Sequence, residues 1–322
     1  MVEVTTDGYF KGNETIVMRK NLKVILQDTI TGEVYDTYTV CSPLASITTS
    51  EPTSKEQKEY FENLNAHKAM SKTLGGFVMV LYFNNEKLYG EELNLSKSTV
   101  SRLLMLATFM DFENRLVKEV PKTKHQAKEV EYMKRKDIQD ILGLKQKAFS
   151  DFITEVTNAG ILIKDDKGYY LSVDYFRKGN IAQDNYFSKM YVETVRQVYL
   201  STPIRKHSTL SYIFQLMPYV HWKTNYIVKD RMCNLDEIET MGLKEICEAL
   251  GLTSNKESIK KMRKELLSFK LIHDGEQYYL FNMITQSSEN GKRVWFVVNP
   301  LLYNSMTDYN DFKEVAKAMW VN

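Results

Sequence analysis

Basic side chains gather on one predicted helix in the second half of the chain. The helix buries Ile259, Met262 and Leu266, whose spacing of three and four residues marks a single apolar face. Its other faces, its first turn and the residues just before it carry hydrogen-bond donors, namely Thr253, Ser254, Asn255, Lys256, Lys260, Lys261, Arg263 and Lys264. Such groups donate to phosphate oxygens and to base edges. The pattern therefore predicts a surface that binds double-stranded DNA.

An earlier helix carries a weaker version of this pattern, because the acidic Asp151 and Glu155 interrupt its polar face. Two predicted β-hairpins supply further cations. The candidate DNA-binding residues outside the second-half helix are Lys145, Gln146, Lys147, Ser150, Lys164, Lys167, Lys292 and Arg293. A basic run that would hold phosphates if it is ordered comes before them, namely Lys118, Lys122, Lys124, Lys128, Lys134, Arg135 and Lys136.

The competing interpretation is an ordinary solvated helix face, which lysines on an amphipathic helix commonly form. The net charge of +2 does not by itself indicate a nucleic-acid partner. The positions of the cations favour the DNA-binding interpretation. They gather on a helix and on a hairpin, the two parts with which a helix-turn-helix followed by a hairpin contacts DNA. Acidic residues dominate elsewhere, as in Asp236 to Glu239.

An internal repeat organises the chain. Phe77 aligns with Phe187, 110 residues later, and the same offset aligns Ser98–Ser101 with Ser208–Ser211. The helix that follows buries one apolar stripe in each copy. The stripe is Val100, Leu103, Leu104, Ala107 and Met110 in the first copy, and Leu210, Ile213, Phe214, Met217 and Val220 in the second.

A helix, a glycine and a second helix then occur twice. Gly143 and Gly251 each end an apolar helical face, as a left-handed helix stop does. A hairpin follows each second helix, at Ile161 to Val173 and at Leu271 to Ile284, and the second copy adds a longer tip from Gln286 to Arg293. These patterns predict a mainly helical α+β fold with two tandem winged helix-turn-helix domains.

The ends of the chain complete the predicted organisation. Residues 16–40 predict an N-terminal β-hairpin around Thr31-Gly32, followed by a linker and by a polar helix from Lys55 to Met70, capped by Thr53 or Ser54. A short helix is predicted from Tyr309 to Trp320. The predicted domains are therefore 1–70, 71–183, 184–305 and 306–322. Residues Ser96 to Arg102 could also form a recognition helix, but their repeat position favours the first helix of copy one.

The sequence points away from several other classes. The cysteines Cys41, Cys233 and Cys247 lack CxxC spacing, and the five histidines form no HExxH signature. We therefore expect no catalytic site, no metal and no cofactor. Because no signal peptide and no long apolar run occur, a cytoplasmic protein without a membrane partner is expected.

The run from Leu95 to Ile181 resembles the winged-helix domain of RepL-type plasmid replication initiators and related phage proteins. The similarity is carried by Leu-Ser-Lys-Ser, Met-Asp-Phe-Glu-Asn-Arg-Leu-Val, Gly160-Ile161-Leu162-Ile163, Gly168-Tyr169-Tyr170-Leu171 and Tyr175-Phe176-Arg177-Lys178-Gly179. It implies origin binding or repression in a mobile element, with the second helix contacting the bases. The chain departs from the family in having a second copy and in Tyr175, where an Asn-Pro pair is usual.

Three hypotheses about function remain open. The first is a replication initiator that binds repeated or two-half-site DNA, and the second is a phage-type transcription regulator that uses the same two helices. The third is a winged-helix component of a protein assembly, which would have no salt-dependent affinity for DNA. A homodimer and contacts with the replication or transcription machinery also remain open.

Overall fold

The computed structural model describes residues 14–20, 23–28, 34–39, 55–81, 93, 95–121, 130–178, 187–288, 291–306, 309–317 and 319. Over these residues the fold is mixed α+β, as the sequence predicted, with nine α-helices and several small antiparallel sheets. The chain divides into two compact units, Met1–Asn63 and Leu64–Asn322.

The first unit contains an antiparallel sheet of β1 (Glu14–Lys20), β2 (Lys23–Asp28) and β3 (Val34–Thr39), in the order β1-β2-β3. Strands β2 and β3 are the predicted hairpin. The prediction of a hairpin alone was wrong, because β1 adds a third strand. A single strand from Ile16 to Thr29 would exceed the usual length of three to ten residues, and the chain reverses after Lys20 instead. The predicted linker, 42–54, lies outside the described residues.

The predicted polar helix is α1 (Lys55–Thr73), which extends three residues past the predicted end at Met70. Its predicted cap, Thr53 or Ser54, lies outside the described residues. After the helix, Gly75 and Gly76 adopt positive φ angles of 73° and 81°. The positive φ angle favours glycine at position 75, and a Cβ atom there would lie 2.7 Å from Cγ of the exposed Glu193, whose side chain would have to shift.

The remaining elements follow in chain order. They are β4 (Phe77–Leu81), α2 (Lys97–Ala107), α3 (Arg135–Leu142), α4 (Gln146–Asn158), β5 (Leu162–Lys164), β6 (Tyr169–Leu171), β7 (Phe176–Arg177), β8 (Phe187–Tyr191), α5 (Val192–Ser201), α6 (His207–Gln215), α7 (Leu243–Ala249), α8 (Lys256–Leu266), β9 (Lys270–His273), β10 (Glu276–Tyr279), β11 (Phe281–Ser288), β12 (Gly291–Val298), β13 (Tyr303–Asn304) and α9 (Tyr309–Lys317). We call β4 to β7 the first repeat and β8 to β13 the second repeat. Each contains the predicted helix, left-handed glycine and second helix, with φ of 65° at Gly143 and 61° at Gly251.

The two repeats meet in one four-stranded sheet with the order β13-β8-β4-β7. Central strands β4 and β8 are antiparallel, and their register pairs Phe77 with Tyr191, Met79 with Lys189, and Leu81 with Phe187. Met79 and Lys189 are equivalent residues, because they are also 110 positions apart. An approximate twofold axis therefore passes through this pair and relates the two repeats.

Helices α2 and α6 pack against each other across the same axis, and Oγ of Ser101 donates a hydrogen bond to O of His207 at 2.8 Å. The buried faces of both helices belong to one continuous hydrophobic core. Because Thr99 and Ser101 are fully buried there, the hydroxyl-rich start of α2 faces the interior, which removes the alternative of Ser96 to Arg102 as an exposed recognition helix.

A buried asparagine closes each repeat in the same way. Asn114 and Asn225 have positive φ angles of 62° and 55° and are almost fully buried. Nδ2 of Asn114 donates to O of Leu171 and of Phe176, at 3.2 and 2.6 Å. Nδ2 of Asn225 donates to O of Val298 and of Tyr303, at 3.1 and 2.9 Å. Each side-chain amide thus links its turn to a hairpin strand and to an edge strand of the four-stranded sheet, β7 in the first repeat and β13 in the second.

These contacts correct the predicted equivalence of the hairpins. N of Leu116 donates to O of Tyr169 in β6 at 2.8 Å, and N of Ile227 donates to O of Phe296 in β12 at 3.0 Å. The counterpart of β5–β6 is therefore β11–β12, and β9–β10 is an additional hairpin. The prediction that residues 271–284 form the equivalent hairpin was wrong. The sequence does not separate β9–β10 from β11–β12, because both show alternating apolar and polar residues and turn residues. The predicted tip is also mostly strand, since Ser288 already pairs with Gly291.

Replacing Asn225 with alanine should lower the free energy of unfolding by about 2–4 kcal/mol, because two buried carbonyls lose their donor and the left-handed backbone becomes strained. Urea unfolding of the full chain measures this change. The matched control is Asn158→Ala at the exposed end of α4, which should change stability by less than about 0.5 kcal/mol. Equal effects of the two substitutions would contradict the structural role of Asn225.

Candidate nucleic-acid interface

Helix α8 presents the densest set of cations among the candidates. Met262 and Leu266 are fully buried beneath the helix. The basic side chains on its other faces are all exposed, namely Lys256, Lys260, Lys261, Arg263 and Lys264. Within the part of the chain that the structure describes, none of these five cations forms an ion pair with a carboxylate. The structure therefore brings five of the predicted site residues onto one helix surface.

The residues that precede α8 form its N-terminal cap. Oδ1 of Asn255 accepts a hydrogen bond from N of Ser258 at 2.8 Å, and its Nδ2 donates to Oγ1 of Thr253 at 3.2 Å. Oγ1 of Thr253 also lies 2.7 Å from Oγ of Ser258. These polar atoms, which the sequence analysis assigned to phosphate or base contacts, already stabilise the helix start. Ser254 is half-buried beside them.

Helix α4 presents a smaller basic surface. Lys145, Gln146 and Lys147 are exposed at its start, and Ser150 is half-buried. Of the two acidic residues that interrupt its polar face, Asp151 is exposed, whereas Glu155 is half-buried and accepts hydrogen bonds from N of Ser96 and Oγ1 of Thr99 at the start of α2. The charge of Glu155 is thus engaged inside the repeat, a role that its spacing did not indicate.

The hairpin β5–β6 is anchored by an arginine that the sequence analysis did not include in the site. The guanidinium group of Arg115 donates to both carboxylate oxygens of Asp165, at 3.0 and 2.6 Å, and lies 5.6 Å from the ring centroids of Tyr132 and Tyr170. Hydrogen bonds from Arg115 hold the pKa of Asp165 well below its ordinary value. Lys164 and Lys167 flank this turn and are exposed.

The hairpin β11–β12 carries the last two candidates, since Lys292 pairs with Ser287 and Arg293 with Gln286 in the strand ladder. Arg293 is exposed. The hydrogen bond from N of Gly242 is the largest cause of the lowered pKa of Glu245 near the start of α7, and the charge of Arg293 adds to the lowering.

The basic run, whose last two members lie in the first turn of α3, is only partly described, because Lys122, Lys124 and Lys128 lie outside the described residues. Lys118 pairs with Glu131 at 2.5 Å, and Lys136 pairs with Asp140 at 3.0 Å. Lys134 and Arg135 are exposed. Two of the described members of the run are thus balanced by carboxylates, unlike the cations of α8.

Two of the described histidines, His207 and His221, are buried in local contacts. Burial lowers the pKa of both His207 and His221. His221 is hydrogen-bonded at both ring nitrogens, to Oγ1 of Thr224 at 3.0 Å and to O of Cys233 at 3.1 Å. Over the described residues, no group of three or more His, Cys, Asp or Glu side chains is arranged to hold a metal ion. The described helices also include none with the length and apolar composition of a membrane span.

Comparison with protein-family models, with curated proteins and with solved structures finds no match to this chain.

Replacing Asp165 with asparagine should lower the thermal midpoint near neutral pH, because the ion pair with Arg115 is lost. The folded-state pKa of Asp165 is lowered, so its contribution to stability exists above the unfolded pKa of about 3.9 and disappears as the pH falls toward the folded value. The difference between wild type and Asp165→Asn should therefore shrink on acidification. Thermal unfolding between about pH 7 and pH 2 measures it, because the loss falls mainly below the unfolded pKa, with the exposed Asp166→Asn as control. A difference that is independent of pH would contradict the role of this ion pair.

Proposed function

We propose that this chain binds double-stranded DNA through two winged helix-turn-helix modules, one in each repeat. In this proposal α4 and α8 enter the major groove, and the hairpins β5–β6 and β11–β12 are the wings. A helix with its side chains is about 10–12 Å across, which matches the major groove of about 12 Å. A wing then contacts the neighbouring backbone, as in other modules of this type.

The observation that carries the proposal is the unbalanced positive charge of α8. Lys256, Lys260 and Lys264 are spaced by four residues, so neighbouring ammonium groups repel each other at a cost of about 0.2–0.5 kcal/mol per pair. Glu257 is the only exposed acid on this helix. An anionic partner would remove the repulsion, and the phosphates of a duplex provide regularly spaced negative charges.

The approximate twofold axis supports a specific arrangement of the DNA. Because the axis relates the two repeats, it also relates α4 to α8, and two helices so related would contact two half-sites in inverted orientation. The half-sites would differ in sequence, since the exposed side chains of α4 and α8 differ. Linking both modules in one compact unit raises their effective concentration on the same duplex.

We propose a replication initiator of a phage or plasmid element as the cellular role, in line with the sequence resemblance to RepL-type initiators. The inverted arrangement favours a transcription regulator as a second candidate, because dyad-related half-sites are typical of operators. The two roles are distinguished by a plasmid that carries the bound site. An initiator supplied in trans sustains replication of that plasmid, whereas a regulator changes only transcription from a neighbouring promoter.

Reversing the charge of α8 should weaken DNA binding more than the same change on α4. Lys260→Glu with Lys261→Glu should cost about 100-fold in affinity, and Lys145→Glu with Lys147→Glu about tenfold, because a lost base or phosphate contact costs about 1–3 kcal/mol. Fluorescence anisotropy with a labelled duplex measures both. The control pair Lys313→Glu with Lys317→Glu, on exposed positions of α9, should change affinity by less than about threefold. Equal losses for all three pairs would contradict the assignment of α8 as the main contact.

Affinity should also fall steeply with salt. The slope of log affinity against log salt should become less negative by about two when Lys260 and Lys261 are both replaced by alanine, provided that each neutralises one phosphate. A wild-type protein with no salt-dependent affinity would overturn DNA binding and would favour a protein-interaction component.

A further inference from the structure

A side chain from the opposite repeat anchors the turn of each helix-turn-helix. Oη of Tyr199 in the second repeat donates to O of Leu142 in the first at 3.1 Å. Nζ of Lys97 in the first repeat donates to O of Leu250 in the second at 2.7 Å. Leu142 and Leu250 occupy equivalent places, each directly before the left-handed glycine of its turn. The two contacts are thus reciprocal, although their donors differ.

Both acceptors are carbonyls at a helix end, where the helix itself offers no partner. The side chain of Tyr199 is buried, and its ring centroid lies 4.3 Å from the ring centroid of His207. The ammonium group of Lys97 faces the negative end of α7 and lies 5.3 Å from the ring centroid of Tyr212. Each donor side chain therefore makes a second contact, with an aromatic ring, besides its hydrogen bond to the turn.

The anchored turns lead directly into the two helices proposed to contact DNA. Lys145, the N-cap of α4, follows Leu142 by three residues, and Asn255, the N-cap of α8, follows Leu250 by five. A short connection of this kind transmits a displacement of the turn to the helix start. The start of α4 is thus linked through a short connection to a residue of the second repeat, and the start of α8 to a residue of the first.

We propose that Lys97 and Tyr199 are positioning residues that fix the distance and angle between α4 and α8, and thereby the spacing of the two half-sites that the protein accepts. This inference rests on the proposed function for its consequence at the DNA. The coupling between the helices can be measured without DNA.

The first test measures the distance between α4 and α8 by pulsed electron spin resonance on the full chain. Spin labels are placed at the exposed positions Lys147 and Lys260, after replacement of Cys41, Cys233 and Cys247. The parent protein should give one narrow distance distribution, which Lys97→Met and Tyr199→Phe should broaden, whereas Lys97→Arg, which keeps a donor, should not. The exposed Lys244→Met and Tyr60→Phe are matched controls. Unchanged distributions in both Lys97→Met and Tyr199→Phe, in protein that remains folded, would overturn the coupling.

The second test measures affinity for duplexes that carry the two half-sites recovered by selection from random DNA, at successive spacings. A change of two base pairs should cost the parent protein about 100-fold, because simultaneous binding adds about 10²–10⁴ in avidity. The same change should cost Lys97→Met and Tyr199→Phe about tenfold or less, while their affinity for a single half-site stays at the parental value. Identical dependence on spacing in parent and variants would overturn the role in spacing. Absence of DNA binding by the parent protein, with broadened distances in the variants, would instead refute the proposed function and leave the coupling in place.

Discussion

The antiparallel pairing of β4 with β8 is the constraint on which the rest of the Leu64–Asn322 unit depends. Because the register places the equivalent residues Met79 and Lys189 opposite each other, the hydrogen bonds that join the repeats also define their approximate twofold relation. A shift of one residue would turn every side chain of a strand to the other face of the sheet. The same pairing places α2 against α6 and brings Lys97 and Tyr199 to the opposite turns.

The two repeats share the same arrangement of helices and strands but expose different side chains. In both repeats a buried asparagine, Asn114 or Asn225, donates an equivalent pair of hydrogen bonds to backbone carbonyls. The second repeat adds β9–β10 between its second helix and the hairpin β11–β12, and it carries the cations of α8 without balancing acids. The first repeat has fewer cations on α4. This difference is the reason why we propose two half-sites that are related by symmetry but differ in sequence.

Local features of this fold were predictable from the sequence. The structure confirms the repeat offset, the helices around Gly143 and Gly251, and the buried stripes of α2 and α6. These features depend on the spacing of apolar residues and on the left-handed conformation of glycine, which are local properties of the sequence. The exposure of the α8 cations followed from the same periodicity. The equivalence of β11–β12 with β5–β6 did not, since it depends on contacts such as that between Asn225 and Tyr303, far apart in the chain.

The contacts between the repeats could not be predicted from the sequence either. Nothing in the spacing of Lys97 or Tyr199 indicates that each donates to a carbonyl of the other repeat, because such contacts depend on how β4 and β8 pair. The inward role of Glu155 and the anchoring of Asp165 by Arg115 are of the same kind. In each case the tertiary partners of a charged or polar side chain lie far from it in the sequence, so its local pattern does not indicate them.

The most direct test of the central claim is a selection of bound sequences from random double-stranded DNA by the full-length protein. Our account predicts enrichment of one motif with two different half-sites in inverted orientation at a single spacing. Enrichment of two half-sites in direct orientation would contradict the twofold relation of α4 and α8 on DNA, and the absence of any enriched motif would contradict sequence-specific DNA binding itself.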